Sequence, residues 1–194
     1  MMIFISGGVR SGKSGIAEQC IQALASRQNT VHYIATAKTT DQEMKERIIH
    51  HQRRRCQQSI QWTTWEQPLH LHELAFQFGP NDILLVDCLT NWLANELFDE
   101  EGWEIEAVCL QKAERMLRTV SQLSTVVRAL VIVSNELFSG GVPQDAGTYH
   151  FMKMLGWLHQ RIVHSADYAI LVHHGVPILK KGECLPWLLG MDGF

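Results

Sequence analysis

No apolar run in this chain of 194 residues approaches the ~20 residues that a membrane-spanning helix requires. Charge is also scarce: 17 Lys+Arg and 20 Asp+Glu make up 19% of the residues, below the ~25% of average domains, and leave a net charge of −3. So even a balance lacks the broad basic field of a general nucleic-acid binder. A hydrophobic content of 46% excludes a disordered chain. The cysteines (Cys20, Cys56, Cys88, Cys109, Cys184) are five, an odd number, widely scattered and without a CxxC pair. That pattern predicts buried free thiols in a reducing cytoplasm, with neither a disulfide scaffold nor a zinc site. The opening MMIFISGG turns glycine-rich too soon for a secretory signal.

What the chain does have is alternation. Met2–Ser6, Val31–Ala35, Ile60–Thr64, Ile83–Asp87, Ala129–Ser134 and Tyr168–Val172 read as short buried strands. Helical spacing separates them over Ser14–Ser26, Pro68–Phe78, Asn91–Phe98, Glu104–Leu123 and Ala146–His164. A further helix is predicted after Thr40, where Thr40-Asp41-Gln42-Glu43 fits a capping box. Val176–Lys180 is expected to pair as a last, antiparallel strand. Strands without polar alternation, separated by helices, predict a mostly parallel sheet with helices on both faces. With no repeat or linker, residues 1–194 read as a single α/β domain, with 181–194 as an apolar tail suited to a subunit contact.

Gly7-Gly8-Val9-Arg10-Ser11-Gly12-Lys13-Ser14 matches G-x-x-x-x-G-K-[ST]. Small residues let successive amides curl round phosphate oxygens, and the following helix adds its positive end. Lys13 is expected at the β/γ-phosphates and the Ser14 hydroxyl on Mg2+. A chance glycine-rich turn is the alternative, and the strand before it and helix after it argue against that. A phosphate loop also needs a carboxylate near the metal, at the end of a neighbouring strand. Asp87, closing ILLVD, is the first candidate, with a capping aspartate as the alternative. Glu136, just past another strand, is the second.

Arg47, His50, His51, Arg53, Arg54 and Arg55 form one dense basic cluster. On a helix His50 shares a face with Glu46 and Arg54, so the imidazole could be oriented by one and a phosphate held by the other. Neutral imidazole can attack phosphorus and carry a covalent intermediate. Taken alone, the cluster also reads as a solvated basic face. The remaining histidines read as background: His70 and His72 lie far apart round a helix, and His173 and His174, as strand neighbours, point to opposite faces. Trp92, Trp103 and Trp157 read as core or interface residues.

The order GGVRSGKS, YIATA, DxEMxxRIxHH, LLxDCLTNWLANELF and VSNE with GxP resembles the bifunctional adenosylcobinamide kinase/adenosylcobinamide-phosphate guanylyltransferases, over residues 1 to about 180. The resemblance implies a recombinase-like P-loop NTPase fold, a homotrimer and a place in cobalamin biosynthesis. It implies ATP or GTP as phosphoryl donor to adenosylcobinamide, then transfer of GMP from GTP through a histidine to give adenosylcobinamide-GDP. The guanylylated histidine falls on His50. The implied nucleotide contacts fall on Gly7 to Ser14, on Ala35, Thr36 and Ala37, on His51, Gln52, Arg53 and Arg54, and on Glu66 and Asp87. Magnesium falls to Ser14 and Asp87.

Two departures stand out. The stretch between His51 and Trp62 is longer than the family pattern, with Cys56 where a proline is common. The pattern R-x-F-R-D reads Tyr149, His150, Phe151, Met152, Lys153 here. Two guanidiniums are gone, and with them two potential bidentate phosphate contacts. The kinase step, corrinoid affinity and a subunit contact are the properties this change bears on. Two other readings remain open: a monofunctional P-loop small-molecule kinase, and a nucleotide-responsive binding protein without catalysis.

Overall fold

The computed structural model describes residues 1–38, 60–141 and 143–183. The expected Thr40 helix with its capping box, the basic cluster and most of the apolar tail lie outside the described residues. The elements run Met2–Gly7 (β1), Lys13–Leu24 (α1), Thr30–Ala35 (β2), Trp62–Glu66 (β3), Asp82–Asp87 (β4), Leu89–Phe98 (α2), Glu106–Val126 (α3), Ala129–Asn135 (β5), Ala146–Ser165 (α4), Tyr168–His173 (β6) and Val176–Lys181 (β7). The strands form one sheet of seven, ordered β3-β2-β4-β5-β1-β6-β7. Every pairing is parallel except β6 with β7.

A parallel strand covered on both faces has no solvent side to make polar, which is why ILLVD and ALVIVS are continuous apolar runs. Alternate side chains still go to opposite faces. On β1, Met2 and Phe4 join a core with Trp92 of α2, Met116 of α3 and Leu158 of α4. Ile3 and Ile5 join the other core, with Ile16, Cys20 and Ile21 of α1. Burial raises the thiols of Cys20 and Cys88 to about 12, so both behave as small apolar side chains.

Several expectations need correcting. The strand expected over Ile60–Thr64 runs two residues later, as Trp62–Glu66. The helix expected over Pro68–Phe78 is a 3-10 segment, Leu71–Gln77, entered through His70 in the left-handed region at φ 52°. A Glu96 oxygen accepts from the His70 amide at 2.8 Å and holds that entry. His70 therefore precedes the helix, and its ring lies 5.9 Å from that of His72 instead of on a remote face. After β5 the chain makes a short 3-10 turn, Phe138–Gly140.

The histidines expected as background have structural work. His32 accepts from the Trp65 indole at 3.1 Å, and its other nitrogen lies 3.4 Å from Asp82. His150 sits 3.0 Å from the Trp103 carbonyl. His159 is held 2.7 Å from the Ser134 hydroxyl, with the rings of Phe4 and Phe138 edge-on at 5.0 and 5.6 Å. Burial among them lowers its pKa from 6.5 to about 4.

A histidine kept neutral by burial penalises folding once the unfolded chain can protonate it. Its folded pKa lies below its unfolded one, so stability is complete above about pH 6.5 and falls as the pH drops towards about 4. Between pH 7 and pH 5 this group costs about 2 kcal/mol. Urea unfolding at both pH values should show a smaller loss for His159→Gln than for the parent by that amount; equal losses would refute the assignment.

Candidate functional site

The phosphate loop leaves β1 at Gly7, where two backbones meet closely. A Cβ on Gly7 would run into the Val172 carbonyl and lie 2.7 Å from the Ser11 hydroxyl. Beyond it, Arg10 at φ 59° and Gly12 at φ 90° take left-handed conformations that turn the chain back into α1. The Ser11 amide donates to the Gly8 carbonyl at 3.2 Å, and the Ile16 amide to Gly12 at 3.2 Å as the helix begins. Lys13 is buried, and its ammonium donates to the Gly8 carbonyl at 2.9 Å, closing the loop with a positive charge inside it. The buried Ser11 hydroxyl oxygen has no hydrogen-bond partner among the described residues. An orphan hydroxyl costs ~1–3 kcal/mol unless something accepts from it. An orphan donor, a buried ammonium and a helix N-terminus together fit the oxygens of a phosphate chain.

Asp87 closes β4, level with Ala35 at the end of β2, and Ala35 is level in turn with Glu66 at the end of β3. Tyr33 donates its hydroxyl to Asp87 Oδ2 at 3.2 Å. Thr36 is fully buried: its hydroxyl donates to the Cys88 carbonyl and accepts from the Cys88 amide, both at 2.7 Å. Asn95 donates to the Thr36 carbonyl at 2.7 Å. The Thr36 side chain is thus committed to fixing the edge between β2 and α2, and Ala37 is half-buried beside it. Lys13 and Asp87 both act on the Cys88 thiol, in opposite directions, which puts the loop's cation and the strand-end carboxylate in one neighbourhood. Ser14 and Asp87 carry hard oxygen donors of the kind that magnesium takes alongside phosphates and water, so they are the residues that could hold it. Among the described residues no group of three or more His, Cys, Asp or Glu side chains could hold a metal without such a ligand.

Glu136 stands next to the loop, its amide donating to the Gly7 carbonyl at 2.8 Å. Its carboxylate accepts from the Phe138 amide at 2.9 Å, so it secures the turn that follows β5. The structure therefore gathers Gly7, Gly8, Val9, Arg10, Ser11, Gly12, Lys13, Ser14, Ala35, Glu66 and Asp87 along the carboxyl edge of the sheet. His50, His51, Gln52, Arg53 and Arg54 lie outside the described residues. Tyr149 is exposed, and Lys153 meets Glu106 of α3 at 2.8 Å.

One neighbour of the loop was not expected. Strand alternation predicts opposite faces for His173 and His174, but their ring centroids are 4.1 Å apart. His173 is the last residue of β6, and His174, at φ 50°, opens the β6–β7 turn and ends the strand alternation. The Gly175 amide of that turn donates to the Ser11 carbonyl at 3.0 Å. The sequence signal was His-His-Gly between two apolar stretches, a hairpin turn following a strand of the sheet's carboxyl edge.

The family described as cobinamide kinase / cobinamide phosphate guanyltransferase matches residues 3–179. The bifunctional adenosylcobalamin biosynthesis protein CobU of Escherichia coli (strain K12) is 33% identical over 188 residues, covering 93% of this chain and 100% of that protein. The bifunctional adenosylcobalamin biosynthesis protein CobP of Pseudomonas aeruginosa is 36% identical over 187 residues, covering 95% and 100%. A solved ATPase of a type III secretion system from pathogenic bacteria shares the fold at a TM-score of 0.52, with 12% identity, covering 88% of this chain and 50% of its own.

The two loop glycines should part company on substitution. Gly7→Ala forces a methyl group into the Val172 carbonyl, whereas a Cβ on Gly8 meets nothing within 4 Å. Urea unfolding of the nucleotide-free protein should show a loss of about 2 kcal/mol for Gly7→Ala. The change for Gly8→Ala should stay within about 0.5 kcal/mol. Equal effects would contradict the close approach of β1 to β6.

Proposed function

The chain belongs to the cobinamide kinase / cobinamide phosphate guanyltransferase family, and on that premise we propose that it phosphorylates adenosylcobinamide and then joins GMP to the phosphate it has added. The observation that carries the reading is the phosphate loop itself, closed by Lys13 on Gly8 and lined by a Ser11 hydroxyl without a partner among the described residues, in a chain matched to the family over residues 3–179.

In the kinase step the aminopropanol hydroxyl of adenosylcobinamide attacks the γ-phosphorus of ATP or GTP. The bond from that phosphorus to the β-bridging oxygen breaks, and the nucleoside diphosphate leaves. In the second step an imidazole nitrogen of His50 attacks the α-phosphorus of GTP, the bond to the bridging oxygen breaks, and pyrophosphate leaves. A phosphate oxygen of adenosylcobinamide phosphate then attacks the same phosphorus, the N–P bond breaks, and His50 is restored. Lys13 meets the charge on the β- and γ-oxygens from inside the loop. Arg53 and Arg54 meet charge at the transferred group, with His51, Gln52, Ala35, Ala37 and Glu66 around the nucleotide. Thr36 positions that edge. Ser14 and Asp87 are the residues that would hold magnesium, which supplies charge neutralisation between phosphate oxygens when bound. The resemblance also makes the assembly a homotrimer in this reading.

Trapping the covalent nucleotide tests the mechanism. Incubation with GTP labelled at the α-phosphate should leave acid-labile, base-stable label on the protein, and none on His50→Ala. An unlabelled parent, or equal label on the variant, refutes transfer through His50. Transfer of γ-phosphate without protein-bound GMP would leave a kinase alone.

A further inference from the structure

We propose that Asn135, at the end of β5, is a phosphate-binding residue of the loop site, its carboxamide N–H donating to an oxygen of the triphosphate between the loop and Asp87. The inference rests on the reading of the loop as a triphosphate cradle and adds a contact from the one strand that reading leaves out.

Strand alternation places the residue. Ala129, Val131 and Val133 of β5 join the core on the α1 face, whereas Leu130 and Ile132 join the other. Ser134 continues the second series, its hydroxyl 2.7 Å from His159 of α4 and 3.1 Å from Thr90 of α2. Asn135 is next in the first series, on the face that carries α1 and its first residue, Lys13. The same count holds on the neighbouring strands. Ile3 and Ile5 lead to Gly7, Ile83 and Leu85 to Asp87, and Val31 and Tyr33 to Ala35. Trp62 packs on that core as well and leads to Glu66, and Tyr33 meets Asp87 directly through its hydroxyl. At the carboxyl edge one face therefore carries one residue from each strand: Gly7, Asn135, Asp87, Ala35 and Glu66, in the sheet order β1-β5-β4-β2-β3. Four of the five are already assigned to the nucleotide. The fifth is Asn135.

Its place in the row is between the loop and the strand-end carboxylate. Neighbouring strands lie ~4.8 Å apart, so β1 and β4 are about 10 Å apart with β5 in the gap. Asn135 is level with Gly7, and Val133, two residues earlier, is level with Asp87. Asn135 thus stands about 7 Å further along the strand direction than Asp87. A ligand that reaches from the loop to Asp87 crosses the end of β5, whichever of its phosphates the loop holds. So does one that reaches on to Ala35 and Glu66.

The backbone of this half-buried residue is fixed. Its amide donates to the Thr90 hydroxyl at 2.7 Å, in the network that runs on through Ser134 to His159. That bond uses the main chain, so it sets where Asn135 stands without engaging the carboxamide. A neutral donor suits the position. It can bond to a phosphate oxygen without the repulsion a carboxylate brings, and bonds to charged acceptors are stronger than neutral ones. The adjacent acid, Glu136, turns its carboxylate to the Phe138 amide.

Calorimetric titration of the full chain with GTP and with inorganic tripolyphosphate, in magnesium buffer, tests the contact. Asn135→Ala should bind both at least about tenfold more weakly, the scale of a lost hydrogen bond to a charged group. Asn135→Asp keeps the shape of the side chain and exchanges a donor for a negative charge, so it should bind both more weakly still. Urea unfolding without nucleotide checks that each variant folds; if Asn135→Ala does not, the isosteric Asn135→Asp carries the test alone. Unchanged affinity in the folded variants overturns the inference. Parent-like binding by Asn135→Asp also overturns it, because the side chain is then a prop whose shape alone matters. A loss confined to GTP overturns it too, by moving the contact to the nucleoside. A parent chain that binds neither GTP nor tripolyphosphate overturns the phosphate-loop reading, and this inference with it.

Discussion

Where β1 ends, the backbone of Gly7 lies so close to the Val172 carbonyl of β6 that no side chain fits between them. The ligand edge is built outward from that approach. It brings the Ser11 hydroxyl under Gly7, lets Gly175 bond to Ser11, and lines up β1 with β6 so that the loop and the β6–β7 turn form one unit. The left-handed residues Arg10 and Gly12 then deliver the chain into α1. A phosphate loop works through amide directions, which no side-chain chemistry can repair once the backbone is displaced. The close approach is thus a constraint on function before it is one on stability.

The core under this edge is apolar and two-sided, but the edge itself is held by polar bonds buried in it. Thr36 with Cys88 and Asn95 ties the end of β2 to α2. Thr90, Ser134 and His159 run from α2 through β5 to α4, and Thr90 also accepts from the Asn135 amide at 2.7 Å. Each such group would be costly if left unpaired, so satisfied networks fix one arrangement and penalise the rest. Inside the loop, by contrast, the buried Ser11 hydroxyl oxygen has no hydrogen-bond partner among the described residues. Polar groups that shape the edge are satisfied by protein, whereas the Ser11 hydroxyl inside the loop keeps its hydrogen-bonding capacity unused among the described residues.

This division explains which parts of the site could be read from the sequence. Gly7 to Ser14 was legible because its glycines and lysine are required by local geometry, and Asp87 because an apolar strand ending in a carboxylate is itself a pattern. Thr36 was not legible as a positioning residue, since its partners are 52 and 59 positions away. Glu136 sits at the expected edge, but only the structure shows its carboxylate turned to the Phe138 amide. The His173–His174 pair was misread because strand alternation was carried one residue too far; a positive φ at His174 ends it. Pro68 suggested a helix start, yet the left-handed His70 and its bond to Glu96 set the start later and made it tighter. Local rules located the loop, and long-range pairings decided what its neighbours do.

The same reasoning bears on the altered segment of α4. Lys153, where the family pattern has an acid, pairs with Glu106 of α3, so the reversed charge is matched within the helical layer. Tyr149 lies on the same stretch, its amide bonded to the Asp145 carbonyl that begins the helix and its ring 5.8 Å from His150. These contacts link α4 to α3 and to its own first turn, whereas the loop from Gly7 to Ser14 is organised by β1, α1 and the β6–β7 turn. Both exposed members of the Lys153–Glu106 pair contribute little to stability. What the substitutions change is therefore the character of the helical surface, from guanidinium to aromatic and thioether, while the loop from Gly7 to Ser14 keeps its own set of contacts.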